Sequence, residues 1–242
     1  MKPVFIILIL FNIVVLLKAQ DKSFVATEEN LMNISRQAGT VFTTNMDKLY
    51  EGVRGTPYLF DEWNPGNIYL TDSSYIKNVN IKYNIYTDDL LYLNSTSGDS
   101  LIINRSMIWK FEIIDKPPDD IILMKEMDLK PGKTAKKVFV RVIYDGKSKL
   151  VLKYNKTFIK ANYKGAYATG NKYDEYIDDC QYYIMKNSNN PVKIKLNKRS
   201  VIKALSDKED KVKAYLAEHN SLNLKNENDI AELIRFYDSI TD

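Results

Sequence analysis

Paired carboxylates are the most abundant chemical raw material in this chain: Asp61-Glu62, Asp88-Asp89, Asp119-Asp120, Asp174-Glu175 and Asp178-Asp179. Acid and base work on a glycosidic bond needs two carboxylates facing one cavity, roughly 5 to 9.5 Å apart. Neighbours on a strand point to opposite faces, so no doublet is such a pair by itself. A hydrolase would have to draw its acids from two doublets. Adjacent acids are more simply solvated turn residues. None of these loops has the alternating Asp/Asn positions around a central Gly that define a calcium loop of the EF-hand type.

The other reactive types are scarce. Cys180 and His219 each stand alone in the sequence, so no intramolecular disulfide forms and no zinc site of the usual nitrogen and sulfur kind can be built within one chain. A Ser-His-Asp or Cys-His arrangement would have to recruit His219 from the C-terminal end. His219, near the end of a predicted helix, is expected to serve the helix terminus. Cys180, with apolar neighbours on the run 179–185, is expected to be a small buried hydrophobe. Tyrosine is in excess, at 17 residues, with Tyr83, Tyr86 and Tyr92 close together and Tyr182 beside Tyr183. Exposed tyrosines make sugar- or peptide-binding platforms, but half-buried tyrosines are also ordinary strand residues. Sequons at Asn33, Asn94, Asn104 and Asn155 would matter only in a eukaryotic secretory pathway.

Charge excludes a further class. Lysine and arginine total 35 against 31 acids, and the basic residues are scattered without the dense stripe that a phosphate backbone requires. No nucleic-acid partner is expected.

Residues 1–19 read as a signal peptide. Lys2 gives the positive start, residues 4–17 are apolar except for Asn12, and Ala19 precedes the expected cut. The run of 14 residues is short of the roughly 20 that span a bilayer. No cysteine near the junction offers a site for an acyl chain. The exported chain keeps about 220 residues, enough to bury a core, and carries no stable membrane span.

The elements that must position any site follow from periodicity. A short helix is expected over residues 26–38, opened by Thr27 with Glu28 and Glu29 and closed by Gly39. From Asn67 the period approaches two: Val79, Ile81, Tyr83 and Ile85 alternate with Asn78, Asn80, Lys82 and Asn84, so one face is expected to be buried and the other wet. Residues 90–93 and 100–103 form a predicted hairpin, residues 107–113 continue the meander, and residues 115–120, with Pro117 and Pro118, break it. Asp145-Gly146 between alternating runs predicts a type I′ turn, with positive φ at both. Residues 181–185 and 192–196 make another predicted hairpin. About eight to eleven antiparallel strands are expected. After Lys198 the period becomes 3.6. Ser206 with Glu209 predicts a capping box ahead of Val212, Tyr215 and Leu216, and a second helix carries Ile230, Leu233, Ile234 and Tyr237 on one face.

The runs Gly55-Thr56-Pro57-Tyr58-Leu59 with Gly66, Tyr83-Asn84-Ile85-Tyr86 with Asp88-Asp89-Leu90, and Val142-Ile143-Tyr144-Asp145-Gly146-Lys147 with Leu152-Lys153-Tyr154 together form a pattern. It resembles a family of uncharacterised exported proteins of Bacteroidota. The run from Lys198-Arg199-Ser200 through Leu222-Asn223-Leu224-Lys225 to Phe236-Tyr237 fits the same family. The resemblance implies a bacterial envelope, periplasmic or secreted location, and brings no activity and no functional residue with it.

The expected fold is mainly β: an antiparallel sheet, sandwich or partly closed barrel, with a short N-terminal helix and two C-terminal helices. The expected divisions are a signal peptide (1–19), a β domain (20–198) and a helical cap packed on the sheet (199–242). The expected function is non-catalytic binding of a small ligand or an envelope protein through a sheet face or the helix-to-sheet junction. No catalytic, cofactor-binding or metal-ligating residue is assigned. The alternatives are a carboxylate-dependent, glycosidase-like hydrolase and an outer-membrane β-barrel.

Overall fold

The computed structural model describes residues 52–114, 121–129, 137–162, 172–186 and 190–241. The expected signal segment, the expected helix over 26–38 and the expected loop over 115–120 lie outside them.

Alternation drives the chain into strands β1 (Asn64–Leu70), β2 (Tyr75–Asn84), β3 (Asp89–Leu93), β4 (Ser100–Ile102), β5 (Ile108–Ile114), β6 (Ile121–Asp128), β7 (Lys137–Asp145), β8 (Ser148–Lys153), β9 (Lys156–Ile159), β10 (Glu175–Asp178), β11 (Gln181–Lys186) and β12 (Val192–Ile194). Helices α1 (Lys198–Ala204), α2 (Glu209–Glu218) and α3 (Glu227–Ser239) follow, one more than the two expected. Ten strands form one antiparallel sheet in the order β12-β11-β8-β7-β6-β5-β1-β2-β3-β4, while β9 and β10 pair as a separate ribbon.

The order departs from a simple meander at β5. It pairs with β1 and β6, not with β4, so the chain returns across the sheet after β4 in the manner of a Greek key. The return is short because the sheet is curled. β2 and β7 are four positions apart in the order, about 19 Å in a flat sheet, yet the rings of Tyr83 and Phe139 lie 6.1 Å apart, with Phe111 of β5 touching both. Among the described residues the curl stops short of closure, with β12 and β4 as the two edges. One continuous sheet therefore stands where a two-sheet sandwich was an option.

The inner face holds one core over β1 to β7, centred on Ile68, Ile81, Tyr92, Phe111 and Met124, and a second where β8, β11 and β12 meet the helices. The stripe Ile230, Leu233, Ile234 and Tyr237 is buried as its spacing predicts, and so are Val212 and Leu216. A smaller cluster of Val140, Val151 and Met127 lies on the other face. Each buried Leu, Ile or Phe contributes roughly 1.5 to 3 kcal/mol, so packing replaces the missing disulfide.

Three local expectations are corrected. Asp145 and Gly146 do not take positive φ. The hairpin closes through Gly146 N–H donating to the Ser148 carbonyl, and a Cβ at Gly146 would sit 2.4 Å from the Tyr144 hydroxyl and 2.6 Å from Asp238 Oδ2, so that those two side chains would have to shift. The capping box does not form either. Ser206–Lys208 is a 3-10 turn and α2 starts at Glu209 without a side-chain cap, whereas Asn197 caps α1 by accepting from Ser200 N–H at 2.9 Å. Lys82 and Asn84, expected to be wet, are 6% and 0% exposed. Tyr58 lies under the Lys82 ammonium at 4.4 Å, and the Asn84 side-chain oxygen accepts from the N–H groups of Tyr86 and Thr87.

Candidate functional site

Among the described residues the acid doublets are engaged in separate local contacts. Asp61 and Glu62 are exposed, as are Asp178 and Asp179. Asp178 meets Lys156 at 3.1 Å, Asp179 accepts from Gln181 Nε2, and Asp174 accepts from Ala161 N–H. Asp119 and Asp120 lie outside the described residues. Asp88, at φ 64°, turns inward and is bound by Arg105 Nε at 3.1 Å and by the Tyr83 hydroxyl at 2.5 Å. Arg105 also lies 3.9 Å from Glu126 and over the Phe139 ring, and donates to the Lys137 carbonyl. This is a clasp between the β4 end of the curl and β6–β7. Burial, then the Asp88 charge, pushes the Tyr83 hydroxyl well above its ordinary value, so it stays a proton donor. Among the described residues no three His, Cys, Asp or Glu side chains gather as a metal site would require.

The lone cysteine and histidine are peripheral. Cys180 is exposed, contrary to expectation, because it sits in the two-residue link between β10 and β11, outside the sheet ladder. Partial burial and the charges of Asp178 and Asp179 push its thiol up, away from the thiolate that reacts. His219 caps α2 as expected, its ring stacked on Tyr215 at 4.0 Å.

The tyrosines divide by strand parity. Tyr83 and Tyr92 are core residues. Tyr182 faces the helices, where it donates to Glu227, itself 2.9 Å from Arg141. Tyr183, one residue on, joins the cluster on the opposite face. Tyr86 is 49% exposed and rests on Tyr176 of the β9–β10 ribbon. A cleft of about 280 Å³ opens between the start of α1 and the α2–α3 link, lined by Asn197, Lys198, Leu216, Asn220, Leu222 and Lys225. It is at the small end for a ligand pocket, and its polar lining is amide and ammonium groups.

A different group of aromatics, absent from the sequence-based candidates, makes the most site-like surface. Tyr75 of β2 and Tyr69 of β1 are cross-strand partners, with ring centres 5.9 Å apart and nearly parallel. Trp109 of β5 meets Tyr69 edge-on at 6.3 Å and is itself 38% exposed. Two register shifts expose these rings. β5 gains one residue against β1, since Tyr69 opposes Lys110 while Leu70 opposes Ile108. Trp109 is that extra residue. Such a bulge re-aims a side chain: Ile108 points inward and Trp109 stands outside beside Lys110. β2 has its own irregularity opposite Asn67, where Asn78 takes φ 54°, a conformation asparagine tolerates. Asn78 N–H donates to the Asn67 side chain.

Polar groups hold the rings in place. Glu112 Oε2 accepts from both the Tyr69 hydroxyl and Asn67 Nδ2 at 2.9 Å, and Lys110 lies 3.7 Å from the other carboxylate oxygen. Burial, then the hydrogen bond to Glu112 and its charge, pushes the Tyr69 hydroxyl up to about 12. Lys110 sits 3.8 Å over the Tyr69 ring, and Lys77 5.0 Å over Tyr75. The arrangement can stack a ring-bearing ligand and offer it cations. Its acid, Glu112, is engaged by Tyr69, Asn67 and Lys110. The signal in the sequence was Tyr69 and Tyr75 straddling the turn at Asp72-Ser73, but Trp109 has the same parity as the buried Phe111, and only the bulge turns it out.

Comparison with known proteins finds no matching family model, no matching curated protein and no matching solved structure. Among the described residues no helix is long and apolar enough to cross a membrane.

Proposed function

We propose that this protein is an exported, non-catalytic binding protein of a bacterial envelope or periplasm, and that it holds its ligand on the outer face of the sheet, over Tyr69, Tyr75 and Trp109. The observation that carries the reading is the exposed Trp109, turned out of the core by a bulge and braced against a pair of tyrosines. Rings fixed in this way add contact area at little cost in side-chain entropy. Support for export comes from residues 1–19 and from the resemblance to exported Bacteroidota proteins.

The hydrolase alternative is weaker because Asp88 and Glu126, which approach one another around Arg105, are both held by that guanidinium. The outer-membrane barrel is weaker because the described sheet has two edges and an apolar, filled inner face, where such barrels close fully and enclose a polar interior.

The test is affinity electrophoresis of residues 20–242 through gels containing a panel of soluble polysaccharides, with Trp109→Ala as the partner variant. Retardation by at least one polymer, lost in the variant while its melting temperature is kept, is the expected result. Equal retardation of both proteins would move the binding surface elsewhere.

A further inference from the structure

The platform does not end at its rings. Across the outer face, Tyr75 opposes Tyr69, Tyr69 opposes Lys110, and Lys110 opposes Lys125 of β6. These four side chains therefore form one row running perpendicular to four strands, with Lys77 flanking Tyr75 and Trp109 beside Lys110. Like charges directly opposite one another destabilise a sheet. The direct opposition of Lys110 and Lys125 therefore does not itself stabilise the fold. Each has one acid nearby, Glu112 at 3.7 Å and Asp145 at 3.3 Å. Glu112 is already the acceptor for Tyr69 and Asn67, and Asp145 is shared with Lys149. Three cations beside three rings are thus only partly neutralised.

We infer that the row binds an acidic polysaccharide, a chain whose sugar rings stack on Trp109 and the tyrosine pair while its carboxylate or sulfate groups meet Lys77, Lys110 and Lys125. This rests on the binding role proposed above and specifies its ligand. Stacking alone would not favour charged over neutral sugars; the opposed lysines do. Nucleic acid also uses rings with cations, but its phosphate spacing calls for a longer basic track, which this surface lacks.

The experiment uses residues 20–242 carrying Trp63→Phe, so that Trp109 is the one tryptophan and its emission reports on the platform. Four polymers are titrated: polygalacturonate, its fully methyl-esterified form, dextran sulfate and dextran. Each pair shares its sugar ring and differs in charge. A single-stranded oligonucleotide is the fifth probe. Emission should shift with one or both charged polymers and not with their neutral forms, the two charged arms telling carboxylate from sulfate. Affinity should fall about tenfold in Lys110→Ala/Lys125→Ala, and similarly on raising salt from about 0.05 to 0.3 M as screening grows. The double variant should keep a cooperative melting transition, so that its lost affinity is not unfolding. Neutral and charged forms binding alike would overturn the charge inference and leave the platform standing. No shift with any polymer would overturn both. Tightest binding by the oligonucleotide would overturn the polysaccharide assignment.

Discussion

At the β7–β8 hairpin, one carboxylate shows how a single residue ties the helices to the sheet. Asp238, 7% exposed, accepts from Ser148 N–H and from the Tyr144 hydroxyl at 3.0 Å, and Gly146 leaves the room for it. Asp238→Ala strands the buried Ser148 N–H, so a loss of about 1 to 3 kcal/mol in urea unfolding is expected. Gly146→Ala pushes a methyl group into the same carboxylate and should cost as much, although its φ is one that alanine accepts. Tyrosine ionisation acts at the same scale. Burial followed by hydrogen bonds to Glu112, Glu227 and Asp207 pushes Tyr69, Tyr182 and Tyr237 up to about 12. These groups keep their protons in the folded state at pH values where an unfolded tyrosine, ionising near 10, has lost them. Their contribution is complete below about pH 10 and disappears as the pH rises through about 12. Denaturant midpoints measured from pH 8 to 12 should therefore fall steeply above about 10, in step with tyrosinate absorbance.

Among the elements, the helices show both what periodicity reads well and what it misses. The α3 stripe could be read because 3.6-residue spacing needs only a surface to pack against, and Leu233 is fully buried where the pattern puts it. Leu233→Ala should cost about 2 to 5 kcal/mol and should cut amide protection in α1, α2 and β11 more than in β1 and β2, which belong to the other core. The capping box failed because Asp207 has a competing role. It accepts from Lys186 of β11 and from the Tyr237 hydroxyl, both at 2.6 Å, and holds the Ser206–Lys208 turn against the sheet. Burial raises its pKa, but these two hydrogen bonds, a backbone hydrogen bond and the Lys186 charge together outweigh burial and leave it below the ordinary value. A lowered carboxylate stabilises the fold above its unfolded pKa, near 4, and that contribution is lost as the pH falls through the folded value. Asp207→Asn should flatten the loss of stability measured below about pH 4, and a variant as acid-sensitive as its parent would refute the assignment.

Taken whole, the molecule is a curled sheet whose β4 end is tied back to β6 and β7 by Arg105, a residue with no distinguishing context in the sequence. Arg105→Ala leaves Asp88 and Glu126 without their shared partner and opens the β4 end; about 3 kcal/mol of stability should be lost, since the clasp is partly buried. Residue types and their spacing sufficed for the mainly β class, the hairpins β3–β4, β7–β8 and β11–β12, and the buried faces of β2 and the helices, because alternation and helical stripes are local and each follows from one face meeting apolar surface. They also sufficed to rule out a zinc centre of the usual kind and an intramolecular disulfide, because those depend on residue counts. Tertiary structure alone decided that β5 returns beside β1, that Asp88 is spoken for by Arg105, that Cys180 stands outside, and that Trp109 leaves the core for the surface. Each of these depends on a register shift or on a contact between distant parts of the chain. A one-residue bulge reverses the direction of a side chain without changing the amino-acid pattern around it, and a curl brings together residues that no spacing along the chain connects.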